Sequence, residues 1–205
     1  MPKVIRVAVL VSGAGSNMEA IVKAQMAGRL PGANVVLVIS SKAGVQALDR
    51  AARAGVKSMV IERPAFPDDS AFEAATLEAL REENIDIVCL AGYLKKIGPE
   101  ILRTYHGRIL NIHPALLPKF GGPGMYGHYV HEAVLSAGEK MSGCTVHLVD
   151  EEFDRGPVLA QSTVPVLPGD TPETLAARVL EQEHKLYPKV VREFSEKLIR
   201  SGAQP

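Results

Sequence analysis

The first half of the chain alternates between fully apolar runs and segments with helical patterning. The apolar runs are rich in valine and isoleucine, as in Ile5 to Val11, Asn34 to Ser40 and Ile85 to Ala91. Short runs of this composition are typical of strands that are buried on both faces of a sheet. Because helical segments separate them, the alternation favours a parallel sheet with helices on both faces. We therefore predict an α/β fold with an open, mostly parallel, twisted sheet.

The same patterning predicts the order of elements along the whole chain. The predicted strands cover residues 5–11, 34–40, 57–61, 85–91, 109–113, 144–149 and 157–166. The predicted helices cover residues 18–27, 43–54, 70–83, 130–137 and 172–200. Thr171 should cap the last helix, and Pro188 should kink or break it. No linker is visible, so residues 1–205 are predicted to form one domain.

Composition and charge exclude several classes of function. The 205 residues are 46% hydrophobic and 22% charged, which is typical of a soluble globular enzyme. The 23 basic and 23 acidic residues cancel, so we predict no nucleic-acid partner. No apolar segment is long enough to cross a bilayer, and the chain runs directly into its first strand, so we predict a cytoplasmic protein without membrane contact. Cys89 and Cys144 lie in apolar runs, where we expect buried thiols, and no metal-ligand cluster accompanies them.

Two polar side chains, Asn111 and His113, end an apolar run that begins at Ile109. Residues two apart in a strand point to the same side, so the amide and the imidazole should be aimed together. Pro114 ends the strand because it cannot donate to the ladder. Ligands of open α/β sheets bind beyond the carboxyl ends of the strands. The pair therefore predicts a site with a proton carrier and an amide donor, the groups needed to stabilise an oxyanion.

The glycine-rich stretch Ser12 to Asn17 lies between the first strand and a helix. Free backbone N–H groups and the helix dipole make such a turn a binding site for anions. It does not match a dinucleotide fingerprint, because Met18 stands where a third glycine is needed, and no Gly-Lys-Ser/Thr of a P-loop follows. A terminal phosphate monoester suits this turn best. A plain tight turn without a ligand remains the alternative.

Other polar residues have structural explanations that compete with functional ones. Asp154 would orient His113 and favour its charged form if the two were adjacent, but spacing alone favours an ordinary turn residue. His147 lies within a predicted strand, where a core histidine with satisfied hydrogen bonds is the default. Glu183 and His184 are by default part of the solvated face of the last helix.

Taken together, these motifs resemble the phosphoribosylglycinamide formyltransferase family over nearly the whole chain. The resemblance implies a Rossmann-like formyltransferase fold and transfer of a formyl group from 10-formyltetrahydrofolate to the amine of glycinamide ribonucleotide, a step of purine synthesis. It also implies a phosphate-binding half at about residues 1–108 and a catalytic, folate-binding half at 109–205. The matching segments are Ser12 to Asn17, Leu90 to Leu94, Leu110 to Pro118, Gly143 to His147, Asp154 to Pro157 and Gln182 to His184.

The resemblance assigns a role to each matching residue. The catalytic trio would be Asn111, His113 and Asp154. The phosphate would lie on Gly15, Ser16 and Asn17, and Glu183 would hold the amine end of the ribonucleotide. The folate would lie between Leu94, Lys95, Lys96 and Ile97 on one side and Asp150, Glu151, Glu152 and Phe153 on the other.

In the mechanism that the resemblance implies, Asn111 and a protonated His113 face the oxyanion while Asp154 keeps the imidazole charged. No metal is needed. Asp69 is acidic where the family often has a basic residue for the folate glutamate, so Lys95 or Lys96 is expected to supply that charge. The loop from Gly121 to Tyr129 is also longer than in many members.

Two alternatives remain open at this point. One is another enzyme that uses formylfolate, such as a formyltetrahydrofolate hydrolase or a transferase acting on an aminoacyl-tRNA or a sugar nucleotide. The other is a non-catalytic nucleotide-binding module that uses the Gly13 to Asn17 turn alone. The sequence also leaves the oligomeric state open, with a homodimer as one alternative.

Overall fold

The structure is a computed structural model that describes residues 4–202. A seven-stranded sheet crosses this part of the chain in the order β3-β2-β1-β4-β5-β6-β7. Strands β1 to β5 are parallel, and β6 and β7 join the edge at β5 as antiparallel strands. The strands are β1 (Ile5–Val11), β2 (Ala33–Ser40), β3 (Lys57–Val60), β4 (Ile87–Leu90), β5 (Ile109–His113), β6 (Met141–Leu148) and β7 (Val158–Pro165).

Helices cover both faces of the sheet, as predicted, and each face has its own apolar layer. Helices α1, α2, α5 and α6 pack on one face, where Met18, Val134 and Tyr187 join the buried side chains of the strands. Helices α3 and α4 pack on the other, through side chains such as Phe72 and Ile101. The helices are α1 (Ser16–Met26), α2 (Gln46–Arg53), α3 (Asp69–Glu82), α4 (Pro99–Thr104), α5 (His128–Ser136) and α6 (Pro172–Ser201), with a 3₁₀ turn at Arg63–Ala65.

Several element boundaries differ from the predicted ones for local reasons. Helix α2 begins at Gln46 rather than residue 43, because Gly44 has a φ of 65°, outside the right-handed helical region. Strand β6 begins three residues earlier than predicted because it pairs with β7 from Met141 onward. The sequence did not predict α4, since a six-residue helix is too short to show a periodic apolar face.

The prediction that Pro188 breaks the last helix is wrong. Helix α6 runs without interruption from Pro172 to Ser201. A proline removes one backbone hydrogen bond, but Pro188 is buried between Tyr187 and Val190, which are also buried. Burial of this face against the sheet outweighs the missing bond. Within residues 4–202, no helix is both long enough and apolar enough to span a bilayer.

Candidate active site

Asn111 and His113 both open into a cavity of about 590 Å³ beside the carboxyl end of β5. Their co-directed placement confirms the alternation expected for a strand. Because β5 is flanked by β4 and β6, neighbouring loops form the rest of the wall. The wall consists mainly of residues 92–97 after β4, 122–127 of the glycine-rich loop, and 149–154 after β6.

The imidazole of His113 is held from two sides. Its Nδ1 lies 3.5 Å from Oδ2 of Asp154, and its side chain is only 4% exposed. Its Nε2 lies 2.8 Å from the carbonyl oxygen of Phe120, and because a carbonyl only accepts, Nε2–H donates this bond. Burial lowers the pKa of His113 below its ordinary value, although the charge of Asp154 and the Phe120 carbonyl both oppose that effect.

Asp154 reaches His113 because its loop folds back over the sheet. Its backbone has a φ of 57°, unusual for a residue with a side chain. The N–H of Gly122 donates to Oδ2 over 2.9 Å and ties the acidic loop to the glycine-rich loop. Burial raises the pKa of Asp154, but the contact with His147, the charge of His113 and the Gly122 N–H together bring it below the ordinary value. A carboxylate is thereby kept charged inside the cavity.

His147 orients the amide of Asn111. Its Nδ1 donates to the carbonyl oxygen of Leu148 over 2.8 Å, which leaves Nε2 as an acceptor. The amide nitrogen of Asn111 donates to that Nε2 over 3.0 Å. The same nitrogen lies 3.5 Å from Oδ1 of Asp154. Asn111, His113, His147 and Asp154 therefore form one connected polar cluster at the base of the cavity.

A second group of polar residues lies at the amino end of α1. Gly15 caps this helix with a φ of 73°, and a Cβ on it would lie 2.5 Å from that of Ala47. Asn17 donates from Nδ2 to Oε2 of Glu183 over 2.6 Å. Glu183 is buried, so burial raises the pKa of its carboxyl despite the Asn17 hydrogen bond. The default assignment of Glu183 to a solvated face is therefore wrong.

Known proteins resemble this chain over most of its length. A sequence model of the formyl transferase family matches residues 5–191. The chloroplastic phosphoribosylglycinamide formyltransferase of Arabidopsis thaliana is 44% identical over 200 residues, which are 97% of this chain and 68% of that protein. The chain belongs to the phosphoribosylglycinamide formyltransferase family.

Two further relatives define how far the similarity of this chain extends. The structure of glycinamide ribonucleotide transformylase 1 from Symbiobacterium toebii has a TM-score of 0.90 and 43% identity, covering 95% of this chain and 89% of that one. The trifunctional purine biosynthetic protein adenosine-3 of Bos taurus is 44% identical over 98% of this chain, but the match spans only 19% of that protein.

The structure brings most of the predicted site residues into two groups. Asn111, His113 and Asp154 meet at the cavity, and the two predicted folate segments, 94–97 and 150–153, form facing parts of its wall. Gly15, Ser16, Asn17 and Glu183 lie outside the cavity wall that the described residues form. Asp69 is exposed and pairs with Arg63.

The contacts of Asp154 bear on both roles predicted for it. Asp154 is not an ordinary turn residue, because it contacts both histidines. Asp154 favours the charged form of His113, as expected, but burial outweighs the carboxylate and lowers the pKa of His113 below its ordinary value.

Sequence reasoning missed the role of His147. Its position opposite Asn111 depends on the register of the antiparallel β5–β6 pair. No spacing rule gives that register, and the only signal was the Gly143 to His147 segment within the resemblance. The contact of His113 with Phe120 was missed for a similar reason, since the path of a glycine-rich loop has no sequence period.

Proposed function

We propose that the chain transfers the formyl group of 10-formyltetrahydrofolate to the amine of glycinamide ribonucleotide in purine biosynthesis. The observation that carries this proposal is the polar cluster of Asn111, His113, His147 and Asp154 at the base of a cavity large enough for a folate head group. Family membership supports the choice of substrates.

The folate would occupy the cavity between residues 94–97 and 149–154. Both segments are irregular, so their backbone groups are available to the edge of a flat pterin ring. Lys96 lies 6.0 Å from the ring centroid of Phe153 and marks the place where the two walls approach each other. Lys95 and Lys96 supply positive charge near the mouth, where the anionic glutamate tail would leave.

The ribonucleotide would bind beside the folate at the start of α1. The turn of Gly15, Ser16 and Asn17 offers the amino end of a helix to the phosphate. Glu183 lies next to Asn17 and would accept a hydrogen bond from the amine end of the substrate. A raised carboxyl pKa at Glu183 suits an amine that must be uncharged in order to attack.

In the reaction, the amine nitrogen would form a bond to the formyl carbon and generate a tetrahedral oxyanion. The amide of Asn111 and Nε2–H of His113, released from the Phe120 carbonyl, would donate to that oxygen. Collapse would break the bond to N10 of the folate, which takes up the proton lost by the amine. Asp154, 3.5 Å from Nδ1 of His113, would favour the protonated imidazole, which is the stronger donor to the oxyanion. Loss of one such donor typically lowers turnover by about 10²–10³.

A turnover assay with both substrates tests this proposal. The parent chain should form N-formylglycinamide ribonucleotide, and His113→Ala should reduce the rate by about 10²–10³ while ligand binding persists. His106→Ala is the matched control, because His106 is exposed and lies outside the cavity wall. Release of formate at the same rate without the ribonucleotide would instead identify a formylfolate hydrolase. Absence of both reactions would leave a binding protein.

We also propose a cytoplasmic location, small-molecule substrates rather than nucleic acid or membrane, and a division into a phosphate-binding half at about 1–108 and a catalytic half at 109–205. Buried, unpaired Cys89 and Cys144 support a reducing compartment. Cell fractionation tests the location. Sedimentation at several protein concentrations decides between a monomer and a homodimer.

A further inference from the structure

Ser12 connects the two proposed substrate regions through a single buried hydroxyl. Its side chain follows β1 directly, and the residue is only 4% exposed. The Oγ of Ser12 accepts a hydrogen bond from the backbone N–H of Leu94 over 2.9 Å. It lies 2.7 Å from the Oγ of Ser41. Neither bond belongs to the catalytic cluster around His113.

The three partners extend three adjacent parallel strands. Ser12 follows β1, Ser41 follows β2, and Leu94 lies four residues beyond the end of β4. In the sheet, β1 lies between β2 and β4, and the chain reverses its direction of winding at the β1–β4 step. Ligands of open α/β sheets bind at such a switch point. The Ser12 hydroxyl therefore lies at the switch point, between the two proposed substrate regions.

Each neighbour of Ser12 has a defined position in one of these regions. On one side is the turn that leads to Gly15, which is held against α2 by the bond from Ala47 N–H to the Gly13 carbonyl, 3.2 Å long. On the other side is Leu94, the start of the 94–97 wall, which has irregular backbone and borders the cavity. One hydrogen bond thus joins the residue that begins this turn to the start of the cavity wall.

We propose that Ser12 is a positioning residue that couples occupancy of the phosphate-binding turn to occupancy of the folate cavity. An anion that orders the turn fixes the Ser12 hydroxyl, which fixes Leu94 and the wall beyond it. Folate bound against that wall fixes the same hydroxyl from the opposite side. Such coupling is reciprocal, so each ligand should tighten the other by the same factor. One neutral hydrogen bond corresponds to about 2- to 10-fold in affinity.

The proposal rests on the proposed function, and its test measures a ratio of affinities. The dissociation constant of tetrahydrofolate, which has no formyl group to transfer, is determined with and without saturating glycinamide ribonucleotide. In the parent chain the ribonucleotide should tighten folate binding about 2- to 10-fold. In Ser12→Ala the ratio should fall to about 1. A purely structural role would weaken both affinities and leave the ratio unchanged.

Ser195→Ala is the matched control. Ser195 is a fully buried serine whose hydroxyl donates to the Val191 carbonyl within α6, so its loss removes a buried hydroxyl without touching the coupling. This variant should keep the parent ratio. If Ser12→Ala does not fold, Ser12→Cys keeps the volume with a weaker acceptor and should give an intermediate ratio.

The outcomes separate this inference from the proposed function. A parent chain that forms product and binds both ligands, but shows the same ratio as the Ser12 variants, overturns the coupling alone. A parent chain with a ratio of 1 does so as well. A parent chain that binds neither substrate overturns both proposals.

Discussion

Replacement of Gly15 by alanine should destabilise the turn between β1 and α1 for two separable reasons. Gly15 has a φ of 73°, and an alanine in the left-handed region costs about 1–2 kcal/mol. Its Cβ would also lie 2.5 Å from the Cβ and 2.8 Å from the Cα of Ala47. Since one of those atoms is backbone, α2 or the turn must shift, which costs about 1–3 kcal/mol more.

Comparison with Gly28→Ala isolates the steric contribution of Ala47. Gly28 has a φ of 68°, close to that of Gly15, but no heavy atom lies within 4 Å of its added Cβ. Gly15→Ala should therefore be less stable than Gly28→Ala by about 1–3 kcal/mol. For a chain of this size that difference corresponds to about 2–12 °C in Tm. Thermal and urea unfolding of the two variants give this comparison directly.

Ligand affinities of the same two variants test the function of the turn. Gly15→Ala should weaken binding of glycinamide ribonucleotide and leave binding of folate alone close to that of the parent, while Gly28→Ala should change neither. Equal stability of the two variants would show that the turn relaxes away from Ala47. Unchanged ribonucleotide affinity in Gly15→Ala would place the phosphate elsewhere.

Three further predictions concern charge. Burial brings the pKa of His131 to about 4, below the ordinary value of 6.5, so its contribution to stability is present above pH 6.5 and is lost as the pH falls toward 4. His131→Phe should remove about 2 kcal/mol of the stability difference between pH 7.5 and pH 5 in urea unfolding, and an unchanged pH dependence would refute this. Asp154→Asn should lower the pKa of His113 further, because the carboxylate raises it, and should reduce turnover; an NMR titration with an unmoved pKa would contradict the pairing. Lys95→Ala and Lys96→Ala should weaken folate binding by at most about 5-fold, more at low salt than at high salt, without affecting the ribonucleotide; parent-like folate affinity at every ionic strength would place the tail elsewhere.

The sheet could be predicted because its central strands are buried on both faces. In β1 every buried residue is apolar, and the one charged residue, Arg6, is the one that is only partly buried. Boundaries of helices and strands that depend on tertiary contacts were harder to predict from the sequence. Helix α6 continues through Pro188 because its neighbours are buried against the sheet, and that burial is not visible in the local sequence.

The residues of the site also differ in how far the local sequence predicts their positions. Asn111 and His113 were predictable because alternation within one strand aims them together. Asp154 was predicted only through the resemblance and not from spacing, because its position depends on a loop whose return path is fixed by a close backbone approach. A Cβ on Gly156 would lie 1.9 Å from the Leu148 carbonyl oxygen, so only glycine allows the chain to turn back here. Spacing within Asp154 to Pro157 suggests a turn but not where that turn lies.

The hydrogen bond between Asn17 and Glu183 joins positions 166 residues apart. During synthesis, β1 and α1 leave the ribosome long before α6 exists. Contacts of such long sequence separation form late, because the intervening chain must be ordered first. Until then the apolar face of the sheet that Tyr187 will cover stays exposed to water and to other chains. Cys89 and Leu110 belong to this face.

Tyr187 adds a second tie of the same kind. Its hydroxyl lies 3.1 Å from the carbonyl oxygen of Leu90, at the end of β4, and 2.9 Å from the carbonyl oxygen of Leu110, within β5. Helix α6 therefore joins β4 and β5, the two strands that lead into the cavity. Until this helix docks, a nascent chain exposes an apolar surface and Asn17 lacks its Glu183 partner, so both are completed in the same folding step.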